Sequence, residues 1–425
     1  MSNPTPANAS ADGAAAPFPV AQAPSVAAGT AFGIGIAGIC VTALGLLFSP
    51  AQVVATSWLI GVSYWTAMAL GMLLLVLIHH VFDAMWSTIL RRQLEHGLAA
   101  FKWLALLFLP LLIASWFWRR DLVWPWMNPA HIIAGEGKSV GTDILYAKKS
   151  GFLNLNAFTA GTAIFFGSWI WLSARLRRAS FSQDSDGDPK WTIMNRFTAG
   201  FGIPLTGVTL TFAAIYWIKS LEYHWFSTMY GVWFFSNCMR GAYSLGVLIM
   251  LWLWNRGDFK GILNQDHWHS IGKMMLAFTV FWGYIAFSQY FLIWNANVPE
   301  ETFWYNLREY GDWWWIGLVL VFGHFLVPFL ALLSYRFKVT HGPISRVAVW
   351  ILVVIFIDIC WNVLPAVKDS EGHPLPFFSL GLLWAATATI GVGGVCIGAY
   401  LRSFATARLI PIRDPRIADC LMHHE

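Results

Sequence analysis

A chain of 425 residues in which 57% are hydrophobic and only 12% are Asp, Glu, Lys or Arg carries about half the charge of an ordinary soluble domain. Its mean hydropathy is +0.57, with 26 Trp and 32 Phe. One or two water-soluble domains cannot bury that much apolar surface, which excludes a cytosolic enzyme, a disordered chain and a disulfide scaffold. The apolar residues come in unbroken runs rather than in alternation, which argues against a membrane barrel. The expected class is an all-α polytopic membrane protein. A net charge of +5 without a basic tract interleaved with aromatics gives no sign of nucleic-acid binding.

In chain order, residues 1–29 are rich in Ala, Pro, Ser and Asn, contain no Lys or Arg, and are expected to form a flexible cytoplasmic tail. A bilayer core of about 30 Å needs about 20 apolar helical residues. Such segments fall at 30–49, 58–82, 98–118, 152–175, 197–218, 225–254, 271–294, 313–335, 343–366 and 377–400. Ten spans place both termini on one side. The first lacks the positive flank and cleavage site of a signal peptide and is expected to be retained. Ile89, Leu90 and His96, before the third span, recur as Ile262, Leu263 and His269 before the seventh. That weak repeat divides the chain into a first four-helix bundle at 58–218 and a second at 225–366. Spans 1 and 10 would flank them, with 401–425 as a cytoplasmic tail.

Eighteen of the 27 Lys and Arg fall in loops and tails on the side of the termini, eight fall opposite, and Arg240 lies inside a span. The positive-inside rule then puts both termini in the cytoplasm. The longest outer loop, 119–151, holds five of the eight outer cations and is a candidate docking surface. Trp116, Trp118, Trp124, Trp126 and Trp313, Trp314, Trp315 gather near span ends, where an aromatic belt is expected. The cysteines Cys40, Cys238, Cys360, Cys396 and Cys420 show no CxxC spacing and no haem-attachment motif, so no cysteine-held metal is expected.

Ionisable side chains deep in a bilayer are costly and therefore informative. His79 and Asp83 stand one helical turn apart at the cytoplasmic end of span 2, beside His80. They form either a proton-passing pair or the headgroup-level end of the span. Thr228, Ser236, Arg240 and Ser244 recur at multiples of four and predict a polar stripe on span 6. Arg240 needs an acceptor, in a structural or a functional pair. Asp358 lies in the outer half of span 9, followed by Trp361 and Asn362, and points to function. His324, midway along span 8, is a proton carrier or a core histidine. Tyr216, Lys219, Glu222 and His224 cluster at the outer surface. By depth these groups describe two half-channels for protons. His79 and His324 differ in depth by about 15 Å, so they cannot share a haem iron.

The stretch Tyr216-Trp217-Ile218-Lys219-Ser220-Leu221-Glu222-Tyr223-His224-Trp225-Phe226-Ser227-Thr228-Met229-Tyr230-Gly231 resembles a segment of the alternative complex III membrane subunits. These belong to the NrfD/PsrC-like, polysulfide-reductase membrane-subunit type. The continuation Val232-Trp233-Phe234-Phe235 is more similar to the F subunit than to the C subunit. The resemblance implies an inner-membrane subunit of a bacterial quinol:cytochrome c (electron acceptor) oxidoreductase in a respiratory chain. Its partners would be a second NrfD-like quinol-binding subunit, an iron–sulfur subunit and c-type cytochrome subunits. Haem c and iron–sulfur clusters would belong to those partners, none would be bound by this chain, and quinol or quinone is the ligand the resemblance leaves to it. Tyr216 stands where the family pattern has an acid, and Tyr223 replaces its Pro. Those departures weaken the case for a quinol or proton role in the first bundle and favour the second, with Asp358.

The expected function is therefore scaffolding and proton conduction by His79, Asp83, Arg240, His324 and Asp358, without a redox centre or independent catalysis. One rival is a direct quinol site, with Tyr216, Glu222, His224, Trp361 or Asn362 as outer-side candidates. Another is a secondary transporter, for which Gly202, Pro204 and Pro328 permit broken helices.

Overall fold

The computed structural model describes residues 25–133, 137–404 and 407–422. Most of the expected N-terminal tail lies outside the described residues, as do the last three positions. Among the described residues there is no β-strand, and ten helices are long and apolar enough to cross a membrane. They are α1 (Ala27–Leu47), α2 (Ala51–Phe82), α3 (Thr88–Phe117), α4 (Leu155–Asp186), α5 (Lys190–Trp217), α6 (Tyr230–Arg256), α7 (Gln265–Ala296), α8 (Trp313–Leu333), α9 (His341–Ala366) and α10 (Leu380–Ser403). The chain is an all-α polytopic membrane protein.

Helix α2 is apolar all round, and such a helix belongs in the interior. It packs against α3, α5, α6, α9 and α10 and is buried along nearly its whole length. Helices α4 and α5 pack together beside it, α6 packs against α7 and α9, and α8 packs against α7 and α9. Gly71 of α2 lies against the Cys238 carbonyl of α6 so closely that a Cβ there would overlap it. This approach fixes the depth of Arg240 relative to α2.

Helices α1 and α10 pair along their length. Gly38 faces Gly391, and a Cβ built on Gly394 would lie 2.4 Å from the Gly35 nitrogen. Small residues at such a crossing let helix backbones meet where lipid offers no hydrophobic drive. Gly394→Leu is expected to separate this pair, costing about 1–3 kcal/mol. The check is a lowered thermal midpoint in detergent, with faster cleavage near the α1–α2 turn. Unchanged values for both would refute it.

Three expectations need correction. The third span begins at Thr88, not 98, so Arg91 and Arg92 are buried helix residues rather than loop cations. The helix tolerates them because Glu95 lies one turn away, 3.1 Å from Arg91 Nε and 3.4 Å from Arg92 Nε. Span 6 begins at Tyr230, not 225, which leaves Thr228 in the preceding turn and off the polar stripe. There Ser227 Oγ bonds Gln289 and accepts from the Met229 N–H, turning the chain before the helix starts. Trp116, Trp118, Trp314 and Trp315 are exposed, as an aromatic belt requires, but Trp124, Trp126 and Trp313 are buried. Their indole N–H groups donate to the Trp217 carbonyl, Ser220 Oγ and the Leu375 carbonyl. These three therefore anchor the outer loops to the bundle.

Candidate functional site

Arg240, His324 and Asp358 come from α6, α8 and α9 and meet in the protein interior. All three side chains are buried. Arg240 Nη1 lies 2.8 Å from His324 Nε2, and Nη2 donates to the His324 carbonyl at 2.8 Å. That carbonyl is available for a local reason. Pro328, four residues on, has no N–H to return to it, and α8 widens into a π-helical turn over Leu320–Leu326. Such turns release backbone groups and recur at functional sites.

His324 Nε2 accepts from Arg240, so a neutral imidazole carries its proton on Nδ1, which is buried without a partner. Nε2 also lies 3.6 Å from Asp358 Oδ2, beyond hydrogen-bond length but within ion-pair reach. Asp358 is held by donors only. Trp233 Nε1 (3.0 Å), Asn237 Nδ2 (2.8 Å) and Trp282 Nε1 (3.1 Å) reach Oδ2, and Asn362 Nδ2 (3.1 Å) reaches Oδ1. Partners of that kind suit an ionised carboxylate. The Trp282 ring meets His324 edge-on, with centroids 4.0 Å apart, and closes the cluster. A guanidinium, a neutral imidazole and a carboxylate sum to no net charge, the arrangement that makes buried ionic groups tolerable.

A polar column leads from Asp358 toward the C-terminal end of α9. Asn362 Oδ1 accepts from the Tyr230 hydroxyl at 3.0 Å, and its carbonyl accepts from Arg308 Nη2 at 2.9 Å. Arg308 is buried and lies 3.4 Å from the centroid of Trp304, which stacks on Trp225. Burial lowers the Arg308 pKa to about 10, against the opposing charge of Glu222. The indole nitrogens of Trp225 and Trp361 are buried without partners in this region.

A pocket of about 560 Å3 has Glu222, His224, Asp143, His131 and Lys368 in its wall, on the side of the spans opposite the termini. Glu222 pairs with Lys368 at 2.9 Å, while His224 and the Tyr223 hydroxyl both bond Asp143. Lys219, close by in sequence, is brought down to about 8 by burial and by Lys149. Tyr216 bonds the Phe152 carbonyl and takes no part in the Asp358 cluster. Burial pushes the Asp143 carboxyl up, but the bonds from Tyr223 and His224 outweigh it and hold the group below the usual range. A depressed carboxylate stabilises above its unfolded pKa, about 3.9, and that contribution fades as pH falls through the lower folded value. The 137–151 loop is therefore expected to loosen below about pH 4. Proteolysis of the loop across pH 3–6 with an acid-stable protease tests this, and Asp143→Asn should flatten the profile.

At the opposite end, His79 and Asp83 do not face one another. His79 Nδ1 meets Ser87 Oγ at 2.8 Å and Nε2 meets Arg91 Nη1 at 3.3 Å. Asp83 caps α2 in the left-handed region, with φ 52°, and pairs with Arg196 (2.8 Å) and Arg416 (3.0 Å). Behind them lies a buried network that single-residue reasoning missed. Glu95 accepts from Ser180 Oγ at 2.6 Å, Arg92 is bidentate to Asp184, and Asp414 takes Arg91 at 2.7 Å. The segment after α10 thus packs onto the bundle, with Asp414, Arg416 and Cys420 buried. The signal for this network was the sequence Arg91-Arg92-Gln93-Leu94-Glu95, whose i, i+3 and i, i+4 spacing suits ion pairs within a helix.

The two clusters are far apart. Between Thr66 and His79, α2 has twelve successive apolar residues, Ala67 to Ile78, which span about 18 Å. On α6, Ser244 is likewise followed by an apolar run from Leu245 to Trp254. At the end of α5, aromatic residues stand instead of an acid such as Asp358. Tyr216 and Trp217 lie there among Phe152, Phe158, Phe165 and Phe166, and Trp217 donates to Thr162. Among the described residues no group of three His, Cys, Asp or Glu is placed to hold a metal ion. Neither the models of known protein families nor the curated proteins provide a match to this chain.

Proposed function

We propose that the chain is the proton-handling and scaffolding membrane subunit of a quinol:electron-acceptor oxidoreductase of the alternative complex III type. It would sit in a bacterial inner membrane with cytoplasmic termini. The observation that carries the reading is the buried Arg240–His324–Asp358 cluster, continued by hydrogen bonds through Asn362 to Tyr230 and Arg308. Asp358 and His324 exchange protons with the outer side, and the apolar stretch of α2 and α6 separates them from His79 and the inner network. Electron transfer rests with haem c and iron–sulfur partners.

Asp358→Asn in the complex purified from membranes tests this directly. The change keeps the shape and removes the exchangeable charge. Quinol-driven proton release is expected to fall about a hundredfold, the range lost with a positioned acid–base group. Asp358→Glu should retain a measurable part. Unchanged release and turnover in an assembled Asp358→Asn complex would end the proposal, as would purification of the wild-type chain without haem- or iron-containing partners.

The outer pocket favours a second reading, direct quinol binding. Its volume suits a small-molecule headgroup, and Glu222 and His224 stand in its wall as proton acceptors. Quinone that co-purifies with the wild type and is lost with Glu222→Gln would select this reading.

A further inference from the structure

A second cavity, of about 260 Å3, opens between α3, α4 and α10 on the side of the C-terminal segment. Three cations line it, Lys102, Arg177 and Arg402, and no carboxylate does. The carboxylate whose charge acts on Arg177 is Glu95, which is already engaged by Arg91, Arg92 and Ser180. Ser173, also in the wall, is 3% exposed, and its hydroxyl has no hydrogen-bond partner. Arg177 Nε is likewise buried and unpartnered, while its Nη2 is fixed on Ser403 Oγ at 2.7 Å. The remaining wall includes apolar Phe101 and Ile170. A pocket with three unneutralised cations and a waiting hydroxyl is built for an anion.

Depth and surroundings say what carries that anion. Helix α4 has 32 residues, about 48 Å, and therefore outruns a hydrocarbon core of about 30 Å. Arg177 stands nine residues from its end, or about 14 Å, which is headgroup level. The Arg402 guanidinium lies over the Phe32 ring at 4.4 Å, and Phe32 meets Trp103 at 5.5 Å. Aromatic and basic side chains at this depth are typical of a membrane interface, and basic pockets between helices on this side suit lipid phosphates.

We propose that the pocket binds the phosphate of an anionic phospholipid of the phosphatidylglycerol or cardiolipin type. Lys102, Arg177 and the Ser173 hydroxyl hold the phosphate oxygens, Arg402 adds charge at the rim, and the acyl chains descend along the lipid-facing side of α3 and α4. The bound lipid ties the first bundle to the α1–α10 pair. Free phosphate would meet the same cations but leave the apolar flank uncovered.

The test uses the protein purified with its partners, delipidated in detergent, and then exposed to phosphatidylglycerol, cardiolipin, phosphatidylcholine or inorganic phosphate. Native mass spectrometry counts retained molecules and a thermal scan reports stabilisation. Phosphatidylglycerol and cardiolipin are expected to persist as adducts and raise the thermal midpoint, while phosphatidylcholine and inorganic phosphate do neither. Lys102→Ala with Arg402→Ala should weaken retention about thirtyfold, the effect of two interfacial charges. Lys102→Arg with Arg402→Lys should preserve it. Equal retention of phosphatidylcholine, stabilisation by inorganic phosphate alone, or undiminished retention in the double alanine variant would overturn the proposal. The comparison among wild-type additions decides the matter even where the alanine variant does not assemble.

Discussion

Arg240→Met is expected to destabilise the protein in detergent by about 3–5 kcal/mol, the penalty for leaving a buried charge without its partner. The guanidinium supplies two hydrogen bonds at once, to His324 Nε2 and to the His324 carbonyl. Methionine fills similar volume but leaves both acceptors unmet and removes the cation whose charge acts on Asp358. Arg240→Lys should fall between, because an ammonium is a point charge that cannot match the two-pronged geometry. Adding Asp358→Asn to Arg240→Met should recover part of the loss, since the pair is coupled and its two single effects do not add. The measurement is a double-mutant cycle of thermal or denaturant unfolding in one detergent. Strict additivity would show that the two residues do not sense each other and would remove the physical basis of the cluster.

How far the sequence disclosed this site depends on the residue. Asp358, His324 and Arg240 stood out because each interrupts an apolar run long enough to span a bilayer, where a charge needs a reason. Their meeting was not legible, since it depends on the close approach at Gly71 and Cys238 and on the π turn that re-aims α8. Trp233 and Trp282 escaped notice because an indole N–H inside an apolar helix counts as hydrophobic in any composition measure, yet both donate to Asp358, as does the Asn237 amide. At the other end the error ran the opposite way. Charges at Arg91, Arg92 and Glu95, taken one by one, look like a loop, although Glu95, Asp184 and Asp414 together pair both arginines within a buried helix. Ten spans were legible because backbone satisfaction in lipid leaves helices as the solution for long apolar runs. Helix ends were less so, because Ser227 and Gln289 decide where α6 begins through a contact between distant segments.

Asp414→Ala is the second large effect, and it is expected to be local. The Asp414 carboxylate takes Arg91 Nη2 at 2.7 Å and both Nε and Nη2 of Arg416 at 2.9 Å. Its loss leaves two buried guanidinium groups short of a counter-charge, a penalty of about 3–5 kcal/mol. That penalty falls on docking of residues 407–422, because α3 retains Glu95 and Asp184 as partners for its own arginines. Trypsin cleavage at Arg408 and Arg413 of the detergent-purified protein should therefore accelerate by about a hundredfold or more, as opening of that segment becomes easier. The ten spans should unfold near their usual temperature. Acid should not mimic the substitution under mild conditions. Burial pushes the Asp414 carboxyl up, but the Arg91 charge and the Arg416 bonds outweigh it and hold the group well below the ordinary carboxylate range. Stability from such a group is fully present above the unfolded value, about 3.9, and disappears only as pH falls through the much lower folded one. The wild-type segment should thus resist an acid-stable protease at pH 4, where the 137–151 loop held by Asp143 begins to loosen. Release of both segments at the same pH would show that Arg91 and Arg416 do not hold Asp414 as the geometry requires.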